Sequence, residues 1–248
     1  MDAVKSVPWV PSPAPAQAVF QGVRLDQRSC EQFRSVFINP GSLSRATGSV
    51  YAEFDSTKLM VAIYGPRASD RRSTFSEKGR LQVDVKYATF STGVRGTAGQ
   101  TAEERDLSLL LNRALEPSVQ CHTFPKAVVD VYVTILESGG SDLAVAVSAA
   151  SVALAIAGVE LYDLVAACRV SIVNDELLLD SSLAEEAVEQ GGMLLAQMPK
   201  LNRITEFVMQ GQWTQTKINA ALDLCQAGCA QLDVAMRECL RDHCLEGA

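Results

Sequence analysis

The stretch AVVDVYVTIL–ESGGSD–LAVAVSAASVALAIA, residues 127–157, decides how this chain folds. The β-branched apolar run at 127–136 predicts a strand that is buried largely on both faces. The small apolar residues at 143–157 predict a core helix that ends at Gly158. Between them, a Gly-Gly-Ser turn presents free backbone N–H groups at the start of the helix. Such a turn can bind an anion with the backbone alone.

Asp142, the first residue past the turn, changes what the turn can bind. Its carboxylate complements the helix dipole but repels a phosphate. At about 4 Å and an effective dielectric constant of 20, one pair of like charges costs roughly 4 kcal/mol. The pattern therefore indicates either an anion pocket that is closed to phosphate or a well-capped helix without a binding role.

The composition favours a globular chain with a local basic surface. With 248 residues, 48% of them hydrophobic, the chain can form one large domain or two packed halves. The net charge of −7 argues against a general nucleic-acid coat protein. Residues 67–100, however, contain three acidic residues against seven basic ones: Arg67, Arg71, Arg72, Lys78, Arg80, Lys86 and Arg95. We therefore expect a positive surface on an acidic body.

The beginning of the chain and its cysteines indicate the setting in which it works. Residues 1–22 contain four prolines and are expected to be a flexible tail. We recognise no secretory signal and no membrane-spanning segment. The seven cysteines are odd in number and mostly lie in apolar helical context, which favours reduced thiols in an intracellular protein.

The order of predicted elements suggests a duplication. Two strands are expected at 49–65 around a turn at 55–56, the second one broken by Gly65-Pro66-Arg67. The first half continues with a polar loop (68–78), a strand (81–90) and a helix that is capped by Thr101 and ends at Pro117. After the central strand, turn and helix, the pattern predicts a hairpin (164–179), two short strands (193–198 and 204–209) and a long helix (214–245). Strands followed by a helix, twice over, predict two similar α+β halves.

Cysteines in the last helix invite a zinc-binding interpretation, which the helix geometry disfavours. Cys225 and Cys229 lie one turn apart, as do Cys239 and His243, with Cys244 adjacent. The two pairs are separated by about 21 Å along a straight helix at 1.5 Å per residue, whereas zinc–ligand bonds are about 2.0–2.3 Å. Core cysteines are therefore favoured. With two histidines, no nucleophile motif and no nucleotide-binding loop, we expect neither a metal nor a cofactor.

An ordered set of short blocks resembles the RNase PH family. The blocks are RLDQR (24–28), GSVYAEFDSTK (48–58), GPR (65–67), FSTG (90–93), ERDL (104–107), LESGGS (136–141), AGVELYDL (157–164) and LLLD (177–180). The resemblance extends from about residue 23 to the C-terminus. It implies an α+β fold: a duplicated RNase PH fold, related to the second domain of ribosomal protein S5, over residues 23–248.

Within the family, three pieces are most similar to eukaryotic exosome ring subunits of the mRNA transport regulator type. They are SGGSDL (138–143), ALEP (114–117) and GQWT (211–214). The resemblance implies that the chain is a structural subunit of the hexameric ring. The partners it implies are other RNase PH-like subunits, S1/KH cap subunits, an associated hydrolytic exoribonuclease and RNA. It implies no contact with a membrane. It also implies a location in the nucleus, nucleolus and cytoplasm.

The resemblance further implies a degenerate active site. Active members cleave RNA from the 3′ end with inorganic phosphate, which an arginine right after the turn holds; here Asp142 stands in that position. They also carry aspartates six and twelve residues past the aspartate of the LLD block, where this chain has Glu186 and Gly192. Because phosphorolysis needs an anion binder and an acid together, we expect no activity. The alternatives are an active exoribonuclease that uses Glu186, and an unrelated nucleotide-binding protein with one S5-like half, which would need a phosphate loop.

Three arginines are candidates for RNA contact. Arg95 and Arg105 match family positions that face RNA in active members, and Arg67 lies nearby in the order of motifs. Contacts to the RNA backbone require only charge. The alternative is a solvated basic loop.

Overall fold

The computed structural model describes residues 19–20, 23–24, 26–68, 78–96 and 99–246. Most of the tail predicted at 1–22 and of the polar loop predicted at 68–78 therefore lies outside the described residues. The last part of the predicted tail is β1 (Val19–Phe20), which pairs antiparallel with β2 (Val23–Arg24). Two described residues thus lie within the stretch for which the sequence predicted a tail.

The first half is a five-stranded sheet with two helices. Its elements are β3 (Val36–Pro40), β4 (Gly48–Phe54), β5 (Thr57–Ala68), β6 (Arg80–Tyr87), α1 (Ala102–Leu115), a 3₁₀ turn (Glu116–Ser118), β7 (Ala127–Glu137) and α2 (Asp142–Ile156). The strand order is β3-β4-β5-β7-β6, in which β6 and β7 are parallel and the other pairs antiparallel.

The second half is a four-stranded antiparallel sheet with a short and a long helix. Its elements are β8 (Ala166–Val173), β9 (Glu176–Leu179), α3 (Leu183–Glu186), β10 (Gly191–Met198), β11 (Arg203–Gly211) and α4 (Gln215–Glu246). The strand order is β11-β10-β8-β9. The two α+β halves predicted from the element order are therefore present.

The sequence predicted helix ends and turns correctly where they depend on contacts between residues a few positions apart. Thr101 caps α1: its side chain accepts from the Glu104 N–H at 3.2 Å, and the Glu104 carboxylate accepts from the Thr101 N–H at 2.6 Å. The predicted hairpin turn is formed by Asn174 and Asp175, both with positive φ (49° and 69°). Pro117 lies just past the end of α1, as predicted.

The predicted break at Gly65-Pro66-Arg67 is wrong, because β5 continues to Ala68. The register against β7 shifts between Tyr64 and Arg67, after which Arg67 pairs with Val128 and Ala68 with Ala127. Proline has no N–H to donate to the ladder, and Gly65 adopts φ = +126°, so the strand passes this point as an irregularity. Gly65 and Pro66 do disturb the register, but β5 pairs with β7 on both sides of them and therefore remains one strand.

Helix α2 forms the centre of the core. Its buried residues run from Ala144 to Leu154, and it packs against β4 and β5 of the first sheet and β8 of the second. Two of its serines remain satisfied there: Ser148 Oγ accepts from the Ala167 N–H at 3.1 Å, and Ser151 Oγ from the Val165 N–H at 2.8 Å. A helix that is apolar on all sides is thus accommodated between the two sheets.

Helix α4 is continuous over its length, which bears on the cysteine interpretation. Cys225 and Cys229 are buried in the core, whereas Cys239 lies further along the same unbroken helix. Within the described ranges, no group of three or more His, Cys, Asp and Glu side chains could hold a metal ion. None of the helices in the described residues is long and apolar enough to cross a membrane.

Candidate functional site: an anion turn that holds the chain's own carboxylate

The turn between β7 and α2 is built by two closely packed glycines and a serine. A Cβ on Gly139 would lie 2.2 Å from Ser56 Oγ, and one on Gly140 would lie 2.5 Å from the Leu183 backbone nitrogen. Gly140 also has φ = +101°, and Ser141, the residue before α2, adopts the left-handed conformation. Glycine is therefore required where the turn contacts the second half of the molecule.

The side chain of Arg34 hydrogen-bonds to this turn, a contact that the sequence did not predict. The arginine is buried; Nη1 donates to the Gly139 carbonyl at 3.3 Å and Nη2 to the Gly140 carbonyl at 3.0 Å. Nε and Nη2 also donate to both carboxylate oxygens of Asp180, at 2.8 and 2.7 Å. Although burial opposes the charge, the hydrogen bonds and charge of Asp180 raise the pKa of the guanidinium above its ordinary value. Arg34 thus connects the turn to the second half.

Asp142 begins α2 and is held by two hydroxyl groups. Its Oδ2 accepts from Ser138 Oγ at 2.6 Å and from the Tyr87 hydroxyl at 3.1 Å. Burial first, and then the charge of Asp142, raises the pKa of Tyr87, so the phenol stays protonated and remains a donor. Oδ1 is buried and has no hydrogen-bond partner among the described residues. A carboxylate therefore lies at the helix start where the resemblance implies a guanidinium in active relatives.

Glu186 occupies the anion position of the turn. Its Oε1 accepts the backbone N–H of Ser141 at 2.7 Å and lies 3.3 Å from Ser181 Oγ and 3.4 Å from Arg169 Nη1. Burial is the main cause that raises the pKa of Glu186; Arg169 and the Ser141 N–H oppose it, and the charges of Asp142 and Glu189 reinforce it. The turn does bind an anion, and this anion is the chain's own carboxylate.

Gly192, in β10, leaves space that two charged side chains fill. A Cβ at this position would lie 3.1 Å from both Arg169 Nη2 and Glu189 Oε1. Glu189 accepts from Arg169 Nη2 at 2.6 Å and from Ser171 Oγ at 2.5 Å. Glu189, three residues earlier in the chain, thus places a carboxylate beside the position where the resemblance implies an aspartate in active members.

The structure brings Asp142, Glu186 and Gly192 together. They line one pocket of about 200 Å³, whose other walls are formed by Tyr87, Leu107, Leu110, Leu143, Arg169, Met193, Leu194, Val208 and Gln210. Glu186 and the adjacent Glu189 both pair with Arg169, and Asp142 lines the same pocket as a third carboxylate. The site therefore carries excess negative charge, which is unsuited to phosphate.

Arg169 and Glu189 are the site residues that sequence reasoning missed. Neither lies in a recognisable block of the sequence. The only available signal was that Glu189 follows Glu186 by three residues, a spacing that also suits an ordinary helix surface.

The three candidate RNA-binding arginines fall into two groups. All three are exposed. Arg105 lies in the first turn of α1, next to Glu104, which binds the Tyr87 N–H, and Arg95 lies in the loop after β6. Arg67 pairs with Val128 at the far end of β7 and forms an ion pair with Asp130.

Two of the arginines therefore lie on the side of the pocket, and the third is distant. Tyr87 is opposite Ile135, and Arg67 is opposite Val128, so the two ends are seven residues apart on β7. At about 3.3 Å per residue this corresponds to roughly 23 Å. Arg95 and Arg105 thus lie towards the pocket end of β7, whereas Arg67 lies at the opposite end.

The fold and the glycine turn define a two-domain protein of the exoribonuclease type. Residues 32–160 match the model of the 3′ exoribonuclease family, domain 1, and residues 163–228 match domain 2 of the same family. The chain belongs to this family, also known as RNase PH. The α+β fold class and the duplicated RNase PH fold that the sequence predicted are thereby confirmed.

Sequence relatives and solved structures agree with this membership. The chain is 41% identical over 218 residues to "Exosome complex component RRP41-like" of Arabidopsis thaliana (88% of this chain, 84% of the relative). It is 34% identical over 223 residues to "Exosome complex component Rrp41" of Methanopyrus kandleri (89% and 93%). Its fold is similar to rice (Oryza sativa) Rrp46, with a TM-score of 0.80 at 24% identity (88% of this chain, 100% of that chain). It is also similar to a chain of an Archaeoglobus fulgidus exosome with RNA bound to the active site, with a TM-score of 0.76 at 18% identity (85% and 91%).

Proposed function

We propose that this chain is a non-catalytic structural subunit of the RNA exosome's hexameric ring, which supports 3′–5′ RNA processing and degradation by an associated nuclease. The names of the sequence relatives, which describe exosome complex components, support the assembly part. The observation that carries the non-catalytic part is the hydrogen bond from the Ser141 N–H to Glu186 in a pocket that also contains Asp142. Phosphate would have to displace one carboxylate and bind next to two others.

The proposal extends to partners and place. The chain would contact other RNase PH-like ring subunits, S1/KH cap subunits and the associated hydrolytic exoribonuclease, in the nucleus, nucleolus and cytoplasm. Arg95 and Arg105, both exposed, would contact RNA, and Arg67 would do so at a second point. Within the ring, we propose the mRNA transport regulator type on the basis of the SGGSDL, ALEP and GQWT pieces. The names of the relatives instead carry Rrp41 and Rrp46, so the subunit type depends on these pieces alone.

Phosphorolysis by the assembled ring tests the absence of catalysis. The ring is reconstituted without its hydrolytic nuclease and given a 3′-labelled RNA in phosphate buffer. We expect no nucleoside diphosphate release that depends on this chain. Release that disappears when Glu186 is replaced by alanine would refute the non-catalytic role.

Co-purification tests the assembly. Tagged full-length chain is isolated and the co-eluting proteins are identified by mass spectrometry, with sedimentation of the isolated chain alongside. We expect other RNase PH-like chains to co-elute, and we expect the isolated chain to self-associate, because ring subunits have large partner interfaces. A compact monomer that does not bind other ring subunits would contradict the proposal.

An active phosphate-dependent 3′–5′ exoribonuclease is the second candidate. It is favoured by two carboxylates that could serve as acids: Glu186 in the pocket and Glu189 next to it. Phosphate binding is the argument against this candidate. Among the described residues, Arg169 is the only cation that lines the pocket, and both of these carboxylates already bind it.

A further inference from the structure

The loop that follows β6 is closely hydrogen-bonded. Ser91 is buried; its N–H and Oγ both donate to the Ala88 carbonyl, at 2.9 and 2.7 Å. Thr92 Oγ1 donates to the Val94 carbonyl at 2.7 Å, and the Gly96 N–H donates to the Thr89 carbonyl at 3.0 Å. These bonds give residues 88–96 a defined shape.

The same loop presents large apolar side chains to solvent. Phe90 is 73% exposed and Val94 is 70% exposed, and Phe90 is the most exposed aromatic residue in the described part of the chain. Removing a phenylalanine side chain from water is worth roughly 1.5–3 kcal/mol. A loop that is ordered and still forgoes this burial offers a flat apolar surface to a partner.

The position and charge of the loop indicate what kind of partner fits. The Ser91 carbonyl accepts from the Ser138 N–H at 3.0 Å, so the loop is attached directly to the glycine turn. The Gly96–Thr89 hydrogen bond closes the loop, which makes Phe90 and Arg95 the first and last residues inside the closure. Residues 88–100 contain no aspartate or glutamate. An exposed aromatic ring and a cation in one closed loop, without a carboxylate in the segment, suit a polyanion that has flat bases.

We propose that Phe90 is a stacking platform for one unpaired base of single-stranded RNA, with Arg95 contacting the neighbouring phosphate. This inference rests on the proposed RNA contact and assigns it a surface beside the closed pocket. The interaction is tolerant of base identity, since every base has a flat face. Arg95 supplies the part of the binding that depends on salt.

The experiment uses the full-length chain and a fluorescent single-stranded RNA of about 16 nucleotides, the upper end of the usual site size. Binding is measured by fluorescence anisotropy over a series of salt concentrations. Phe90→Ala removes the ring, and Phe90→Tyr keeps it. Val94→Ala is the matched control, because Val94 lies in the same loop with similar exposure and cannot stack. An abasic oligonucleotide of the same length serves as the ligand without bases.

We expect Phe90→Ala to weaken binding about 5- to 160-fold, with no change in the salt slope. Phe90→Tyr should restore wild-type binding, and Val94→Ala should change it by no more than about twofold. Arg95→Ala should lower the salt slope by about one. The effect of Phe90→Ala should vanish with the abasic ligand.

Each failure has its own meaning. If Phe90→Ala binds like wild type while Arg95→Ala is weaker, the stacking role is wrong and the RNA contact stands. If Val94→Ala loses as much affinity as Phe90→Ala, the surface acts by general apolar contact and stacking is likewise refuted. If neither wild type nor any variant binds RNA, the proposed RNA contact itself fails, and this inference with it.

Discussion

Replacing Asp142 with arginine should not open the pocket to phosphate as long as Glu186 remains. Considered from the sequence alone, Asp142→Arg yields phosphate binding at most, since it restores the guanidinium that active relatives place after the turn. The structure revises this expectation. The anion position is the Ser141 N–H, and Glu186 Oε1 already accepts from it at 2.7 Å.

Two contributions set the size of the effect. Removing Asp142 removes a like-charge repulsion of roughly 4 kcal/mol at about 4 Å and an effective dielectric constant of 20. Phosphate must still displace Glu186, whose charge-assisted hydrogen bond to the Ser141 N–H is worth about 1.5–3 kcal/mol. The new guanidinium would also pair with Glu186 and hold it in place. We therefore expect Asp142→Arg/Glu186→Ala to bind phosphate more tightly than Asp142→Arg by at least about 2 kcal/mol, which is about 30-fold in Kd.

Isothermal titration with orthophosphate measures the difference. Asp142→Arg/Glu137→Ala is the matched control, because Glu137 is an exposed carboxylate just before the turn and its removal changes the net charge equally. The control should bind like Asp142→Arg. Equal phosphate affinity for Asp142→Arg and Asp142→Arg/Glu186→Ala would show that Glu186 does not close the site.

Three further predictions concern residues that line the pocket or support the glycine turn. Arg34→Met should lower the free energy of unfolding in urea by about 3–5 kcal/mol, because the buried Asp180 carboxylate loses the guanidinium that binds both its oxygens and keeps only Arg28, 4.0 Å away, as an ionic partner. Gly192→Asp alone should yield no diphosphate release and a lower melting temperature, because its Cβ would lie 3.1 Å from Arg169 Nη2. The raised pKa of Glu186 means that the native state holds a proton more tightly than the unfolded state. The contribution of Glu186 to stability is therefore present at low pH and is lost as the pH rises through its raised pKa. Glu186→Gln should abolish this part of the dependence of the unfolding free energy on pH, measured by urea titrations above pH 4.5.

Local patterns in the sequence were enough for most elements. The capping box at Thr101 and Glu104, the turn at Asn174-Asp175 and the all-apolar helix after the glycine turn each depend on residues a few positions apart. Such interactions are decided by propensity, capping and periodicity, which a single sequence displays. The ordered blocks also drew attention to Asp142, Glu186 and Gly192, which line one pocket in the structure.

The sequence by itself thus determined most of the secondary elements, the family fold and the presence of a carboxylate, Asp142, directly after the glycine turn. Only the tertiary structure decided what takes the place of phosphate, since Glu186 reaches the Ser141 N–H from 45 positions away. The same holds for Arg34, which bridges the turn and an aspartate 146 positions further along the chain. Contacts at such separations depend on how the two halves pack, and no local periodicity records them.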